Sequence, residues 1–255
     1  MANRLEGKRA LIYGGGTGIG FACAEAMARE GASVFISGRR TEVLSDATAK
    51  LASTVGKAGF EAGDATAVED VQRVTASASA FMGGIDTIVV SAGAGGRTSV
   101  FDTEPAEFQR IMDHTLRPAF FPVRYACPDL LAAGKASVIV ISSMLGLVGQ
   151  RERLAYCGAK AGVIGMVKAM ALDLADRGVR VNAMCPGFVE TPLALEVTRL
   201  ERDPEAALQA KRLMHPVPRA GTLEEMGELA VYLASDLAAF LTGQAIAIDG
   251  GFTIR

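Results

Sequence analysis

The chain has 255 residues, half of them hydrophobic, and a formal net charge of −2 from 26 basic and 28 acidic side chains that are interspersed along it. That is enough for one large core, and it leaves no basic face for nucleic acid or an anionic membrane. Cys23, Cys127, Cys157 and Cys185 stand apart and only two histidines accompany them, which argues against a disulfide framework and against a metal site.

The first residues, Met1 to Lys8, hold no apolar signal region, and no apolar run is expected to reach membrane-spanning length. A soluble, cytoplasmic protein is therefore expected.

Lys8 to Tyr13 (KRALIY) predicts a short buried strand that runs into Gly14-Gly15-Gly16-Thr17-Gly18-Ile19-Gly20, with a helix from Phe21 to Arg29. Gly14, Gly18 and Gly20 let the backbone turn tightly, approach a pyrophosphate and pack helix against sheet, while free N–H groups at the helix start face the phosphates. A second strand, Ala32 to Ser37, ends in Gly38-Arg39-Arg40, where a dinucleotide-binding fold places the adenosine ribose. An acid there would chelate the ribose hydroxyls and repel a 2′-phosphate. Two guanidinium groups favour NADP(H) instead, with NAD(H) as the second choice.

Thr41 to Val55 reads as a polar-faced helix and Gly59 to Gly63 as a short edge strand. Asp64-Ala65, just beyond it, suits either the adenine amino group or a simple helix cap. A helix follows from Val68 to Phe81, and Asp86 to Val90 (DTIVV) is a strand closed by Ser91-Ala92-Gly93, small residues that let a ligand pass closely. Beyond the glycine-rich loop 93–96 a long helix begins near Pro105. Pro118 and Pro122 inside it each remove an amide donor, so the helix should bend and leave the carbonyls of His114 and Pro118 without their usual partners. His114 itself reads as a helix-surface or packing residue.

Ala136 to Ile141 (ASVIVI) is a buried strand delivering Ser142-Ser143, and the loop from Met144 to Arg153 leads into a helix bearing Tyr156 and Lys160. Four residues apart, the phenol and the ammonium project from one helix face. A tyrosinate base near neutral pH needs its pKa lowered by roughly 2–3 units, about 3–4 kcal/mol, and a fixed ammonium can supply much of that. Ser143 can hydrogen-bond the same substrate oxygen. Arg153 is either a partner for a substrate anion or a surface arginine paired with Glu152 or a neighbouring acid.

Val179 to Met184 is the next strand, ending in Cys185-Pro186-Gly187-Phe188-Val189-Glu190-Thr191. The charged stretch from Pro192 to Pro218, broken at Asp203-Pro204 and His215-Pro216, reads as mobile surface helices, and residues 188–218 as a substrate lid. Thr222 to Ala234 is a capped helix, and Ala245 to Ile248 the last strand before Asp249-Gly250-Gly251. Strand and helix alternate about seven times without a linker. The expected fold is a single α/β domain over residues 1–255: a Rossmann-type doubly wound parallel sheet of about seven strands with helices on both faces.

Taken together these residues resemble the short-chain dehydrogenase/reductase family over essentially the whole chain. Its T-G-x-x-x-G-I-G loop is matched by Tyr13 to Gly20 with Tyr13 in place of threonine, and its N-N-A-G by Val90-Ser91-Ala92-Gly93 without the two amides. Its serine, tyrosine and lysine are matched by Ser143, Tyr156 and Lys160, and its P-G-x-x-x-T, which fixes the nicotinamide carboxamide, by Pro186, Gly187 and Thr191. Its C-terminal T-G-x-x-x-x-x-D-G-G is matched by Thr242, Gly243, Asp249, Gly250 and Gly251.

The resemblance implies reversible hydride transfer between the dinucleotide and a secondary alcohol or ketone. Tyr156 would exchange the proton, Ser143 would polarise the oxygen, and Lys160 would lower the tyrosine pKa while bonding the nicotinamide ribose. It implies a dinucleotide held along Gly14, Gly16, Thr17, Gly18 and Ile19, then Ser37, Arg39 and Arg40, then Asp64 and Ala65. Beyond these it would meet Ser91, Ala92 and Gly93, then Tyr156 and Lys160, then Pro186, Gly187, Val189 and Thr191. A homotetramer assembled through the C-terminal surface is implied as well.

Many members carry an asparagine in the long fourth helix that holds a water feeding protons to the lysine. Thr115 stands there in this chain, and Pro118 is expected to supply the bend by freeing the His114 carbonyl. The polar loop Gln150-Arg151-Glu152-Arg153 and the lid resemble those of members acting on sugars, sugar acids and hydroxy acids. A polar substrate touching Ser143 and Arg153 is expected: a sugar or polyol, or an anionic sugar acid or hydroxy acid. A 3-oxoacyl-thioester reductase is the alternative, and a dinucleotide-binding sensor or scaffold without turnover is the alternative of another class.

Overall fold

Runs of largely aliphatic and β-branched residues form the strands, which are buried on both faces in the middle of the sheet and half-buried at its two edges. The computed structural model describes residues 3–55 and 57–254. Met1, Ala2, Gly56 and Arg255, and with them both ends of the expected 1–255 span, lie outside the described residues. Among the described residues, seven strands pair in parallel: β1 (Arg9–Tyr13), β2 (Ser33–Gly38), β3 (Ala58–Ala62), β4 (Thr87–Val90), β5 (Ala136–Ile141), β6 (Val179–Pro186) and β7 (Ala245–Ile248). Their order across the sheet is β3-β2-β1-β4-β5-β6-β7. The expected class and strand positions hold to within two residues at either end.

The pleat divides the core in two, as a period of two residues requires. Leu11 and Tyr13 of β1 share one core with α3 (Val68–Met82), α4 (Pro105–Ala133) and α5 (Leu154–Leu174). Ala10 and Ile12 share the other with α1 (Gly18–Arg29), α2 (Thr41–Val55) and α8 (Leu223–Ala234). The departure at Tyr13 has a visible role: its hydroxyl, fully buried, meets Thr75 Oγ1 at 3.1 Å and the Val71 carbonyl at 3.3 Å, tying α3 to the sheet.

Three helical details differ from the sequence reading. Helix α1 begins at Gly18, inside the glycine stretch, so the glycine amides are themselves its first-turn donors. Helix α4 runs as one element through Pro118, Pro122 and a third proline, Pro128, so any bend at Pro118 leaves the helix unbroken. The segment Leu154–Arg177 is long and apolar enough to cross a membrane, with a mean hydropathy of 1.2, contrary to expectation. Its Ala155, Ala159, Val163 and Val167 are nevertheless buried inside the protein, as in a core helix that is apolar nearly all round.

Between β6 and α8 the chain forms two short helices, α6 (Pro192–Arg199) and α7 (Pro204–Leu213). Both start with proline behind a residue whose side chain accepts a first-turn amide, Thr191 for α6 and Asp203 for α7.

Candidate active site

Strand β1 lies between β2 and β4, so the connections leave it in opposite directions and a crevice opens at the carboxyl ends of β1 and β4. The cleft there measures about 960 Å³. That is at the upper end of the roughly 300–1,000 Å³ of small-molecule sites, so it has room for more than a small substrate. At one end it is lined by Arg39 and Arg40, in the middle by the glycine turn and residues 91–93, and beyond them by Ser143, Tyr156 and Lys160. Leu193, Val197, Leu200 and Met214 form the far wall.

The turn that makes the crevice admits only glycine at its first position. Gly14 has φ +76°, and a Cβ there would lie 2.9 Å from the carbonyl carbon and oxygen of Ser91. The amides of Gly14 and Gly15 donate to the Ser37 carbonyl at 2.8 and 3.1 Å, which fixes the turn against the end of β2.

Of the residues expected to hold a dinucleotide, two do not line the cleft. Ser37 is fully buried and its hydroxyl has no partner among the described residues; it serves the turn through its carbonyl alone. Val189 points into the core, 5% exposed, while its backbone bridges to Gly221. Gly14, Gly16, Thr17, Gly18, Ile19, Arg39, Arg40, Asp64, Ala65, Ser91, Ala92, Gly93, Pro186, Gly187 and Thr191 all line it.

Arg39 and Arg40 are exposed, have no ion pair among the described residues, and immediately precede Thr41, the first residue of α2. Asp64 Oδ1 accepts from the Thr66 amide and hydroxyl, both at 2.8 Å, so it holds a turn. It does not cap α3, whose N-cap is Ala67.

Ser143 follows β5, and its Oγ accepts the Leu145 amide at 3.1 Å, closing the turn Met144–Gly146. The same hydroxyl lies near enough to the Tyr156 phenol to favour its ionised form. Lys160 is pinned at both ends: Nζ donates to the Ile141 carbonyl at 2.8 Å, and its own carbonyl accepts from Ser142 Oγ at 2.9 Å. Its Nζ lies 5.9 Å from the centre of the Tyr156 ring. A Cβ at position 93 would stand 3.3 Å from that ammonium, which accounts for a glycine there.

The electrostatics correct one expectation. Burial raises the Tyr156 pKa above its ordinary value, and the nearby Ser143 hydroxyl and the charge of Arg153 pull against that rise. Lys160 does not bring the phenol down in the cofactor-free chain. It is itself buried, which lowers its pKa to about 8, and its Nζ is turned to the Ile141 carbonyl.

Arg153 is not paired with Glu152. It donates to the Gly96 carbonyl at 2.9 Å, while Glu152 lies 3.6 Å from Arg97. Arg97 also binds Glu201 at 3.0 Å, linking the loop after β4 to the end of α6.

His114 lines the cleft, with Nδ1 2.9 Å from the Arg110 carbonyl, and Pro118 lines it too. The Thr115 hydroxyl is buried without a partner among the described residues.

Sequence reasoning passed over Phe188 and Lys211, both of which line the cleft. Lys211 Nζ donates to Thr198 Oγ1 at 2.7 Å and lies 5.9 Å from the Phe188 ring centre. No local motif announces it. No group of three or more His, Cys, Asp or Glu that could hold a metal occurs among the described residues.

A family model described as enoyl-(acyl carrier protein) reductase matches residues 14–253. The chain is 39% identical over 256 residues to 2-(S)-hydroxypropyl-CoM dehydrogenase 3 of Xanthobacter autotrophicus, covering 99% of this chain and 99% of that protein. The crystal structure of a short-chain type dehydrogenase/reductase from Mycobacterium marinum is similar at a TM-score of 0.90 with 34% identity, covering 98% of this chain and 97% of that one. An actinorhodin polyketide ketoreductase solved with NADPH is similar at a TM-score of 0.93 with 28% identity, over 100% of both chains.

Proposed function

This chain belongs to the short-chain dehydrogenase/reductase family, and from that membership we propose that it moves a hydride between NADP(H) and a secondary alcohol or ketone bearing an anionic group. The observation that carries the reading is the meeting of Ser143, Tyr156 and Lys160 at the floor of a cleft whose other end is a glycine turn followed by two free guanidinium groups.

The nicotinamide supplies or accepts the hydride. Everything else falls to the chain. Tyr156 gives its proton to the forming alkoxide or takes it from the alcohol, and Ser143 donates a hydrogen bond to the same oxygen. Lys160 would hold the nicotinamide ribose, and Pro186, Gly187 and Thr191 would hold the carboxamide.

The preference for NADP(H) rests on Arg39 and Arg40 at the start of α2, where a 2′-phosphate meets two charges and a helix N-terminus. NAD(H) lacks that phosphate. Arg39→Asp should raise KM for NADP by roughly ten- to a hundredfold while leaving KM for NAD unchanged or improved. Steady-state kinetics with both cofactors check this, and a parallel change in the two would sink the preference.

On the substrate side, Arg97 is neutralised by Glu201 and Glu152, whereas Arg153 and Lys211 face the cleft with no carboxylate in ion-pair reach among the described residues. Leu193, Val197, Leu200 and Met214 add an apolar part to the same lining. A hydroxy acid or sugar acid with its anionic end at these cations fits this lining better than a neutral polyol does. The deciding experiment follows reduced-nicotinamide absorbance across secondary alcohols and ketones matched in size, charged against neutral. Equal kcat/KM for the two sets would remove the anionic class, and no turnover of any member would remove the enzymatic reading. Lys211→Met should raise KM for the anionic substrate roughly tenfold with kcat within about twofold.

Residues 188–218 serve in this reading as the lid, carrying the apolar wall and Lys211 on α6 and α7. The Thr115 hydroxyl and the His114 carbonyl, which Pro118 deprives of its helical donor, stand in for the family's helix asparagine in feeding protons toward Lys160. Solvent isotope effects on Thr115→Val address this: an effect equal to that of the unaltered enzyme would exclude the threonine. The free cysteines suit a reducing cytoplasm. Exposed Leu237, Phe240 and Ile254 near the edge strand β7 suit a homotetramer, and a solution mass of one or two chains would count against that.

A further inference from the structure

His215 is 4% exposed and sits where three parts of the chain meet: the end of the α6–α7 segment, the loop after β6, and the turn after β7. Both of its ring nitrogens are committed. Nδ1 lies 2.6 Å from the Asp249 carbonyl oxygen, which can only accept, so Nδ1 carries the proton. Nε2 then has a lone pair, and it accepts the Phe188 amide at 3.2 Å. One neutral tautomer satisfies both neighbours. The imidazolium does not, because it sets a second N–H against the N–H of Phe188.

The loop that His215 grips is the one that faces the nicotinamide. Its other ties are the Gly187 N–H to the Ile248 carbonyl at 3.0 Å, the Gly221 N–H to the Phe188 carbonyl at 2.9 Å, and the ion pair of Glu190 with Arg212 of α7 at 2.6 Å. The two backbone ties do not titrate, and the Arg212 hydrogen bond holds the Glu190 carboxyl below the usual carboxylate range, so that pair stays charged over the pH range tested below. The ring is packed hard against the loop, since a Cβ at Gly187 would lie 2.7 Å from His215 Cε1.

The ionisable side chain acting directly on the ring is Asp249. Burial pushes its carboxyl pKa up, but hydrogen bonds from Thr253 and the Gly251 amide outweigh this and hold it ionised below the usual carboxylate range. Phe252, 5.6 Å away between centroids, covers the ring with a neutral side chain. From the lid side the nearest cations along the chain are Arg212, paired with Glu190 at 2.6 Å, and Lys211, placed 5.9 Å from the Phe188 ring.

We propose that His215 is a positioning residue that sets the 186–191 loop for dinucleotide binding through the Phe188 amide, and that protonation of His215 releases the loop. The proposal rests on the reading above that this loop holds the nicotinamide. Because the same joint anchors the end of the lid segment, with Val217 N–H on the Gly250 carbonyl at 2.9 Å, the release loosens both sides of the cleft mouth together.

The test is the dissociation constant of reduced dinucleotide for the whole chain without substrate, measured from about pH 8 down to about pH 5.5. The unaltered protein should bind several-fold more weakly at the acid end. His215→Gln places a non-titrating amide oxygen near the position of Nε2, so it should bind as the wild type does at pH 8 and lose the acid weakening. His215→Asn keeps a donor for the Asp249 carbonyl but falls short of Phe188, so it should bind roughly fivefold more weakly at every pH, with a melting temperature like that of the glutamine variant.

Equal affinities for the two variants, or acid weakening that persists in His215→Gln, would overturn the proposal. Should neither variant fold, the wild-type profile decides, and an affinity unchanged down to pH 5.5 overturns it equally. Failure of the dinucleotide reading itself looks different: no saturable binding by the unaltered protein at pH 8.

Discussion

Tyr156→Phe should lower kcat by roughly a thousandfold while leaving dinucleotide affinity within about twofold. The substitution removes one oxygen and keeps the ring, so the packing of α5 and the position of Lys160 beneath the ring are preserved. What is lost is the one group proposed to exchange the substrate's proton.

The pH dependence carries a second signature. Burial holds the phenol pKa above its ordinary value in the cofactor-free chain. Alcohol oxidation, which needs the phenolate, should therefore climb with pH in the unaltered enzyme, and the residual rate of Tyr156→Phe should not. Retention of a tenth of the activity by the variant would falsify the assignment of Tyr156.

The second large effect has two opposite signs in one variant. Lys160→Met should abolish turnover and yet stabilise the cofactor-free protein near neutral pH. Burial lowers the Lys160 pKa from 10.5 to about 8, so keeping this ammonium charged inside the fold opposes folding. The sign follows from linkage. For a lysine with a depressed folded-state pKa the penalty is complete below about 8, shrinks as pH rises from 8 toward 10.5, and is gone above the unfolded value.

The shift corresponds to on the order of 3 kcal/mol. Loss of the Nζ hydrogen bond to the Ile141 carbonyl takes back about 1 kcal/mol. A net gain of roughly 2 kcal/mol should raise Tm by about 4–8 °C at pH 7, with the gain fading as the buffer approaches the unfolded pKa. A lower Tm for Lys160→Met at pH 7 would show that the ammonium is held for structure. A higher one marks it as kept for chemistry at the expense of stability.

The fold was legible because seven largely apolar runs, five of them buried on both faces, alternate with helices, several of whose starts are marked by Pro105, Pro192, Pro204 and the Thr222 capping box. The floor of the site was legible for a related reason. Tyr156 and Lys160 are spaced by a helical turn, and Ser143 stands at the end of a strand, so local geometry alone aims them at the same place.

What could not be read depended on contacts across the chain or on burial. His215 meets partners 27 and 34 residues away, and Lys211 meets Thr198 across 13, in a stretch that looked like charged surface. Ser37 and Val189 were placed in the right segments, but which way a strand end or loop turns its side chains is settled by packing. The direction of the Tyr156 pKa went astray for the same cause, since spacing shows a neighbouring charge and says nothing of how much water the phenol has lost.

The strand order also has a consequence for how the protein is made. Strands β1, β2 and β3 form one flank of the sheet and leave the ribosome first, yet Ala10 of β1 must wait for Thr87 of β4 before its other edge is covered. Until then the nascent chain shows a bare, apolar strand margin of the kind that invites aggregation. The seam closed at that moment is the crevice where the dinucleotide is to lie. A cofactor bridging it would bind only the completed fold, so the supply of dinucleotide bears on the yield of folded enzyme as well as on its turnover.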